Sequence, residues 1–130
     1  MRINHIAILV EDIDSALTFW KDTLGLDLDH IKEIPDQEAR VAFLLSGECE
    51  IELVEPTSQS SGIARYMQKR GPGLHHICFE VNDILEILSQ LKGKGVRLIN
   101  DSPQIDSEGK KYAFVHPEST NGVLIELYEL

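Results

Sequence analysis

The stretch GPGLHHICFEVND, Gly71 to Asp83, decides the fold. A glycine-proline turn opens into a short apolar strand with two adjacent histidines at its mouth, and an aspartate follows where a helix would begin. Working outward, the same grammar recurs near the start of the chain in INHIAILVED, Ile3 to Asp12. His5 aligns with His76, Val10 with Val81, Asp12 with Asp83 and Ile13 with Ile84, all at one offset of 71 (76 − 5). Ala42-Phe43-Leu44 matches Ala113-Phe114-Val115 at that offset, and Glu52-Leu53 matches Glu126-Leu127 at 74 (126 − 52), the longer turn His116 to Gly122 accounting for the difference. The chain reads as two copies of one unit, and a duplicated unit can build a site from equivalent positions in both halves.

Within the first copy, residues 2–10 alternate as a strand, with Ile6, Ile8 and Val10 on one face and Ile3, His5, Ala7 and Leu9 on the other. Asp12 or Asp14 caps a helix whose apolar positions are Ile13, Ala16, Leu17, Trp20 and Leu24, ended by Gly25. Strands follow at 26–34, 40–45 and 49–55, giving β-α-β-β-β. A polar, turn-rich linker and a short helix over about 63–69 lead to the second copy. There a strand spans 74–81, and a helix turns Ile84, Leu85, Ile87, Leu88 and Leu91 inward. Strands at 96–100, 111–115 and 123–130 complete it, with Pro103, Ser107 and Gly109 in a loop. The expected architecture is α+β: two tandem βαβββ modules, about 1–56 and 73–130 joined by 57–72, forming one domain with an open, cupped, mixed sheet and helices outside.

Composition narrows the function. The chain has 130 residues with 12 lysine and arginine against 22 acidic residues, a net charge of −10, which opposes binding to nucleic acid. A few local cations such as Lys110 and Lys111 could still receive an anionic small ligand, because salt screens the overall field within about 8 Å. No signal-like start and no membrane-length apolar run is present, so a soluble, cytoplasmic protein without membrane contact is expected. Cys49 and Cys78 sit in apparent strands without CxxC spacing and read as reduced, buried thiols rather than zinc ligands. No phosphate loop, GxGxxG, GxSxG or HExxH pattern occurs.

Strand alternation brings four chemistry-bearing residues to one face. If Ile6, Ile8, Val10, Ile77, Phe79 and Val81 face the helices, His5 and His76 face the other side. If Ile51, Leu53, Ile125 and Leu127 pack on the helices, Glu52 and Glu126 share that side. One imidazole and one carboxylate from each copy make a plausible five- or six-coordinate site for a borderline divalent ion. A histidine or glutamate in a strand is ordinarily a solvated or hydrogen-bonded residue; matched residue types at matched positions favour the ligand set. His75 has the opposite parity and reads as packing. Glu50 and Glu80 share the site's parity as candidate bases, although a solvated strand-edge charge is the ordinary reading. His30 and His116 lie in or beside turns, His116 shaping its loop with Pro117.

These paired units with a His, Glu, His, Glu order resemble the vicinal oxygen chelate superfamily of glyoxalase I, extradiol dioxygenases and bleomycin-resistance proteins. Within it NHIAILVEDID, EIELVEP, GPGLHHICFEVNDI and HPESTNGVLIELYE resemble the methylmalonyl-CoA epimerase family. The resemblance implies a divalent ion (Co, Mn, Ni or Zn) on His5, His76 and Glu126, with Glu52 where relatives carry glutamine or glutamate. It also implies an acyl-CoA substrate, a homodimer, and Glu126 as a proton-transfer base. The second base of some members falls near Ala42, where this chain has no acid. Glyoxalase I is the alternative enzyme, and a drug-binding protein of the same fold the alternative outside catalysis. Glu52 as a fourth ligand speaks against an extradiol oxygenase.

Overall fold

The structure, a computed structural model, describes residues 1–130. Eight strands are laid down: β1 (Arg2–Leu9), β2 (Asp27–Ile34), β3 (Ala39–Ser46), β4 (Cys49–Pro56), β5 (Gly73–Val81), β6 (Gln104–Ile105), β7 (Lys111–Val115) and β8 (Leu124–Glu129). Three helices accompany them, α1 (Ile13–Leu17), α2 (Gly62–Arg70) and α3 (Ile84–Gly93). The sheet order is β2-β3-β4-β1-β5-β8-β7-β6, with β5 and β8 parallel and the β2–β3, β3–β4, β6–β7 and β7–β8 pairs antiparallel. The result is the expected open mixed sheet of an α+β fold. Packing divides the chain into two compact units, Ile6–His75 and a unit of Met1–His5 with His76–Leu130.

Both units start their helix in the same way. Asp12 and Asp83 cap α1 and α3, accepting the N–H of Ser15 and of Glu86. A second carboxylate arrives from the end of a strand: Glu55 accepts from Ile13 N–H at 2.9 Å, and Glu129 from Ile84 N–H at 2.8 Å. Helix starts leave their first N–H groups without partners and carry partial positive charge, so paired carboxylates satisfy both needs.

Within Ile6–His75 the sheet is covered on both sides. Val10, Ile13, Ala42, Leu44 and Leu53 form one buried cluster with Ile8, Trp20 and Ile51 against it. Ala7, Leu9, Ala39, Val41 and Val54 form another, covered by Ile63, Tyr66 and Met67 of α2. The expectation that all helices lie on one side is therefore corrected. Ile63, Tyr66 and Met67 stand three and four residues apart, so α2 presents an apolar stripe to the sheet face opposite α1. In the other unit Ile84, Leu88, Ala113, Val115 and Leu127 make a single buried cluster, with Phe79, Val81 and Leu91 beside it.

Four local expectations also change. The helix after Asp12 widens into a π-helical turn over Thr18–Thr23, with Leu24 N–H bonded to Phe19 O, and the extra residue in that turn leaves Leu24 54% exposed. Leu85 faces solvent at 61% exposure, while Leu88 carries the packing at 2%. Residues 96–100 form no strand: only Leu98 bridges Val115. Asn100 Oδ1 accepts Phe114 N–H at 2.8 Å and Ser119 Oγ accepts Arg97 N–H at 2.8 Å, so side chains take places that a neighbouring backbone would fill. The outer strand is instead Gln104–Ile105, in the stretch that reads as loop. His30 lies within β2, stacked on Phe43 with ring centroids 4.4 Å apart.

The two faces of α3 make a direct comparison. Leu88→Ala should lower stability by about 2–5 kcal/mol through the cavity it leaves, and Leu85→Ala by no more than about 0.5 kcal/mol. Urea unfolding of the two variants measures both, and equal losses would contradict this assignment of faces.

Candidate functional site

β1 and β5 deliver His5 and His76, and β8 delivers Glu126. The residues are placed by simple alternation. In the parallel β5–β8 pair Phe79 is matched with Leu127, both in or against the helix-side cluster, so His76, Cys78 and Glu126 emerge on the opposite face. His5 Nε2 stands 3.1 Å from His76 Nε2. Glu126 Oε1 lies 3.3 Å from His5 Nε2 and 3.0 Å from His76 Nε2. All three side chains are between 11% and 13% exposed.

This triangle fits a metal ion. Divalent ions bind imidazole nitrogen and carboxylate oxygen at about 2.0–2.2 Å, so neighbouring ligand atoms on one ion fall about 3 Å apart. Two imidazole nitrogens and a carboxylate oxygen brought that close present lone pairs to one another, and a proton or a cation must lie among them. Burial favours the neutral acid at Glu126, but its close contacts with the His5 and His76 imidazoles outweigh that. They hold the carboxyl down at about 2. At neutral pH Glu126 is a carboxylate.

Cys78 was missed as a member of this cluster. Its fully buried sulfur is grouped with His5 and Glu126, their ligand atoms lying within 4.8 Å of one another. The missing CxxC spacing argued against a thiol in a metal site, yet the signal was available: Cys78 is two residues beyond His76 on one strand and so shares its face. Both cysteines are free. A wall of rings flanks the cluster, with Phe114 edge-on to His76 at 5.5 Å and Tyr112 edge-on to Phe114 at 6.0 Å. Phe114 stands directly opposite Glu126 in the β7–β8 pair.

The other expected residues are placed as follows. Glu52 lies on β4 opposite Phe43, on the sheet face away from α1, within the compact unit Ile6–His75. Glu50 has the same parity on that strand. Glu80 is engaged: it is ion-paired with Arg2 Nε at 3.2 Å and accepts Asn4 Nδ2–H at 3.1 Å. His75 packs edge-on against Tyr66 at 4.6 Å. His116 Nδ1 accepts Glu118 N–H at 3.0 Å and shapes its loop. β3 carries no acid, and Val41 and Ala42 on it are buried.

Residues 4–114 match the Glyoxalase/Bleomycin resistance protein/Dioxygenase superfamily. The chain belongs to this superfamily. Among its relatives is an ethylmalonyl-CoA/methylmalonyl-CoA epimerase of Cereibacter sphaeroides, 37% identical over 99% of this chain and 98% of that protein. A solved structure of a hypothetical protein from Bacillus halodurans C-125 is 43% identical, with a TM-score of 0.94 over 99% of this chain and 94% of that one. A methylmalonyl-CoA epimerase solved in complex with methylmalonyl-CoA and NH4+ is 33% identical, with a TM-score of 0.84 over 98% and 93% of the two chains. No helix in this superfamily member is long and apolar enough to cross a membrane.

The depressed carboxyl sets a pH dependence for the metal-free protein. Because Glu126 lies near 2 when folded and near 4.5 ordinarily, its contribution to stability is complete above about pH 4.5 and is lost as the pH falls through 2. Urea midpoints measured from about pH 5 down to 2 should fall less steeply in Glu126→Gln than in the parent. Parallel slopes would mean that Glu126 is not held by the two histidines.

Proposed function

We propose that this chain is a metal-dependent epimerase that interconverts the 2R and 2S forms of methylmalonyl-CoA by proton transfer at C2. The observation that carries this reading is the convergence of His5 Nε2, His76 Nε2 and Glu126 Oε1 within 3.3 Å, in a chain 33% identical to a methylmalonyl-CoA epimerase solved in complex with that thioester. His5, His76 and Glu126 hold the ion, and Glu52, which matches Glu126 in the sequence repeat, is the fourth ligand. The donor set of imidazole and carboxylate suits Co, Mn, Ni or Zn. When bound, a divalent ion supplies Lewis-acid stabilisation of the negative charge that develops on the thioester and carboxylate oxygens.

The chain's own residues supply orientation and proton transfer. Glu126 accepts the C2 proton from one face of the substrate. A carboxylate held this low is a weak base, so its service depends on close placement and on an acidified carbon more than on basicity. The position near Ala42, where some members carry the second base, has no acid, and Glu80 is committed to Arg2 and Asn4. Glu50 is the carboxylate that remains as a candidate for the opposite face. Phe114, opposite Glu126 in the β7–β8 pair, and Tyr112 place aromatic rings beside the cluster. The proposal includes a homodimer, from the resemblance, and a cytoplasmic location, consistent with two free cysteines.

The test is proton-to-deuterium exchange at C2 of methylmalonyl-CoA in heavy water, followed by NMR with metal-free and cobalt-loaded protein, beside methylglyoxal plus glutathione. Cobalt-dependent exchange with loss of stereochemical purity is expected, and Glu126→Gln should slow it by about 10²–10⁴-fold. Absence of exchange with every metal would sink the epimerase; turnover of the hemithioacetal would then identify a glyoxalase.

A further inference from the structure

A chain of hydrogen bonds runs from the surface to the back of His5. Arg2 Nε is ion-paired with Glu80 Oε2 at 3.2 Å, Asn4 Nδ2–H donates to Glu80 Oε1 at 3.1 Å, and Asn4 Oδ1 lies 2.7 Å from His5 Nδ1. Each link has a direction. A carboxylate paired with a guanidinium is an acceptor, so the Asn4 amide must turn its nitrogen to Glu80 and its oxygen to His5. An amide oxygen has no proton to give, so the bond at 2.7 Å requires a proton on His5 Nδ1. A neutral imidazole with its proton on Nδ1 carries its lone pair on Nε2, the atom that meets His76 and Glu126.

We infer that Asn4, oriented by Glu80 and Arg2, is a positioning residue that fixes His5 in the Nδ1–H tautomer and so presents Nε2 as a metal ligand. The inference rests on the metal-site reading given above and adds three residues to it. Side chains that receive the second N–H of a ligating histidine fix its ring and its tautomer, and losing them weakens metal binding by about 10–100-fold. Arg2 is 56% exposed at its side chain and Glu80 18%, so the network is anchored at the protein surface and becomes progressively more sheltered toward His5. Direct contact with substrate is not part of this role. Asn4 acts through the imidazole alone.

The experiment uses the full chain, labelled with ¹⁵N, in two arms. Long-range ¹H–¹⁵N correlation of the metal-free protein reads the tautomer of His5, and competition against a chelator of known strength reads cobalt(II) affinity. The parent should show His5 as Nδ1–H. Asn4→Leu should shift His5 toward Nε2–H and lower cobalt affinity about 10–100-fold. Asn4→Asp retains an acceptor for Nδ1–H, so it should keep the tautomer and lose much less affinity, although its charge beside Glu80 will lower stability. Glu80→Ala, which leaves Asn4 free to turn over, gives a mixture of tautomers and provides the same test should Asn4→Leu fail to fold. An Nδ1–H tautomer or a cobalt affinity unchanged in both Asn4→Leu and Glu80→Ala overturns the inference while leaving the metal site intact. A parent protein that binds no cobalt overturns the metal reading itself, and the inference with it.

Discussion

The parallel pairing of β5 with β8 is the constraint on which the site depends. It sets Cys78 beside Glu126, and it places His76 two pairs further along, on the same face. A slip of one residue would turn Glu126 to the helix side of the sheet, and a slip of two would move its carboxylate by about 7 Å. Parallel strands cannot be joined by a tight turn, so the chain between them must cross over, and here it does so through α3, β6 and β7. The register is then secured from both sides. Leu127 is buried against Ile84 and Leu88, Glu129 holds the first N–H of α3, and β7 pairs Phe114 with Glu126. One strand thus carries, three residues apart, the carboxylate of the site and the carboxylate that starts the helix behind it.

The repeat preserves these structural devices more closely than the surfaces around them. Asp12 and Asp83, Glu55 and Glu129, and Ile13 and Ile84 do the same work at equivalent positions. Burial of both isoleucines is complete. The sheet faces opposite α1 and α3 have diverged. In Ile6–His75 that face is closed by α2 over Ala7, Leu9, Val41 and Val54. In the other unit the corresponding face carries His5, His76, Glu126 and the ring of Phe114. A duplicated framework has therefore kept the pairing and capping that make each unit fold, while the face without a structural duty in one unit carries the polar cluster.

Most of this was legible in the sequence because strand alternation is a local rule. His5, His76 and Glu126 could be put on one face from the parity of their apolar neighbours, and the offsets of the repeat said which strands were equivalent. What escaped depends on side chains that replace backbone interactions or on turns that alter a period. Asn100 and Ser119 occupy positions along residues 97–100 that would make a strand, and nothing in an alternating pattern announces this. The π-helical turn at Thr18–Thr23 shifts Leu24 out of a face that 3.6-residue spacing assigns to it. Leu85 satisfied a loose apolar pattern, but a five-membered apolar set on a helix of ten residues spans more arc than one sheet face can cover. Cys78 was overlooked because cysteine was weighed by its spacing from other cysteines instead of its parity with His76.

A tyrosine shares the face of Glu126 without bonding to it. Tyr128 follows Glu126 by two residues and therefore shares its face, where a free phenol would compete for a carboxylate. Its hydroxyl is instead turned to Asp106, donating at 2.9 Å, and Asp106 also accepts the N–H of Glu108 and of Lys110, each at 2.9 Å. Burial raises the Tyr128 phenol and the adjacent Asp106 raises it further, so the proton stays on the tyrosine oxygen and the bond stays directed away from the site. Asp106 is also subject to a burial penalty, but its N–H donors and the tyrosine outweigh it and keep it charged. The loop between β6 and β7 is fastened to β8 by the same bond. Glu126 is left to the two imidazoles, whose nitrogens can exchange a proton for a cation without any rearrangement of the strands that carry them.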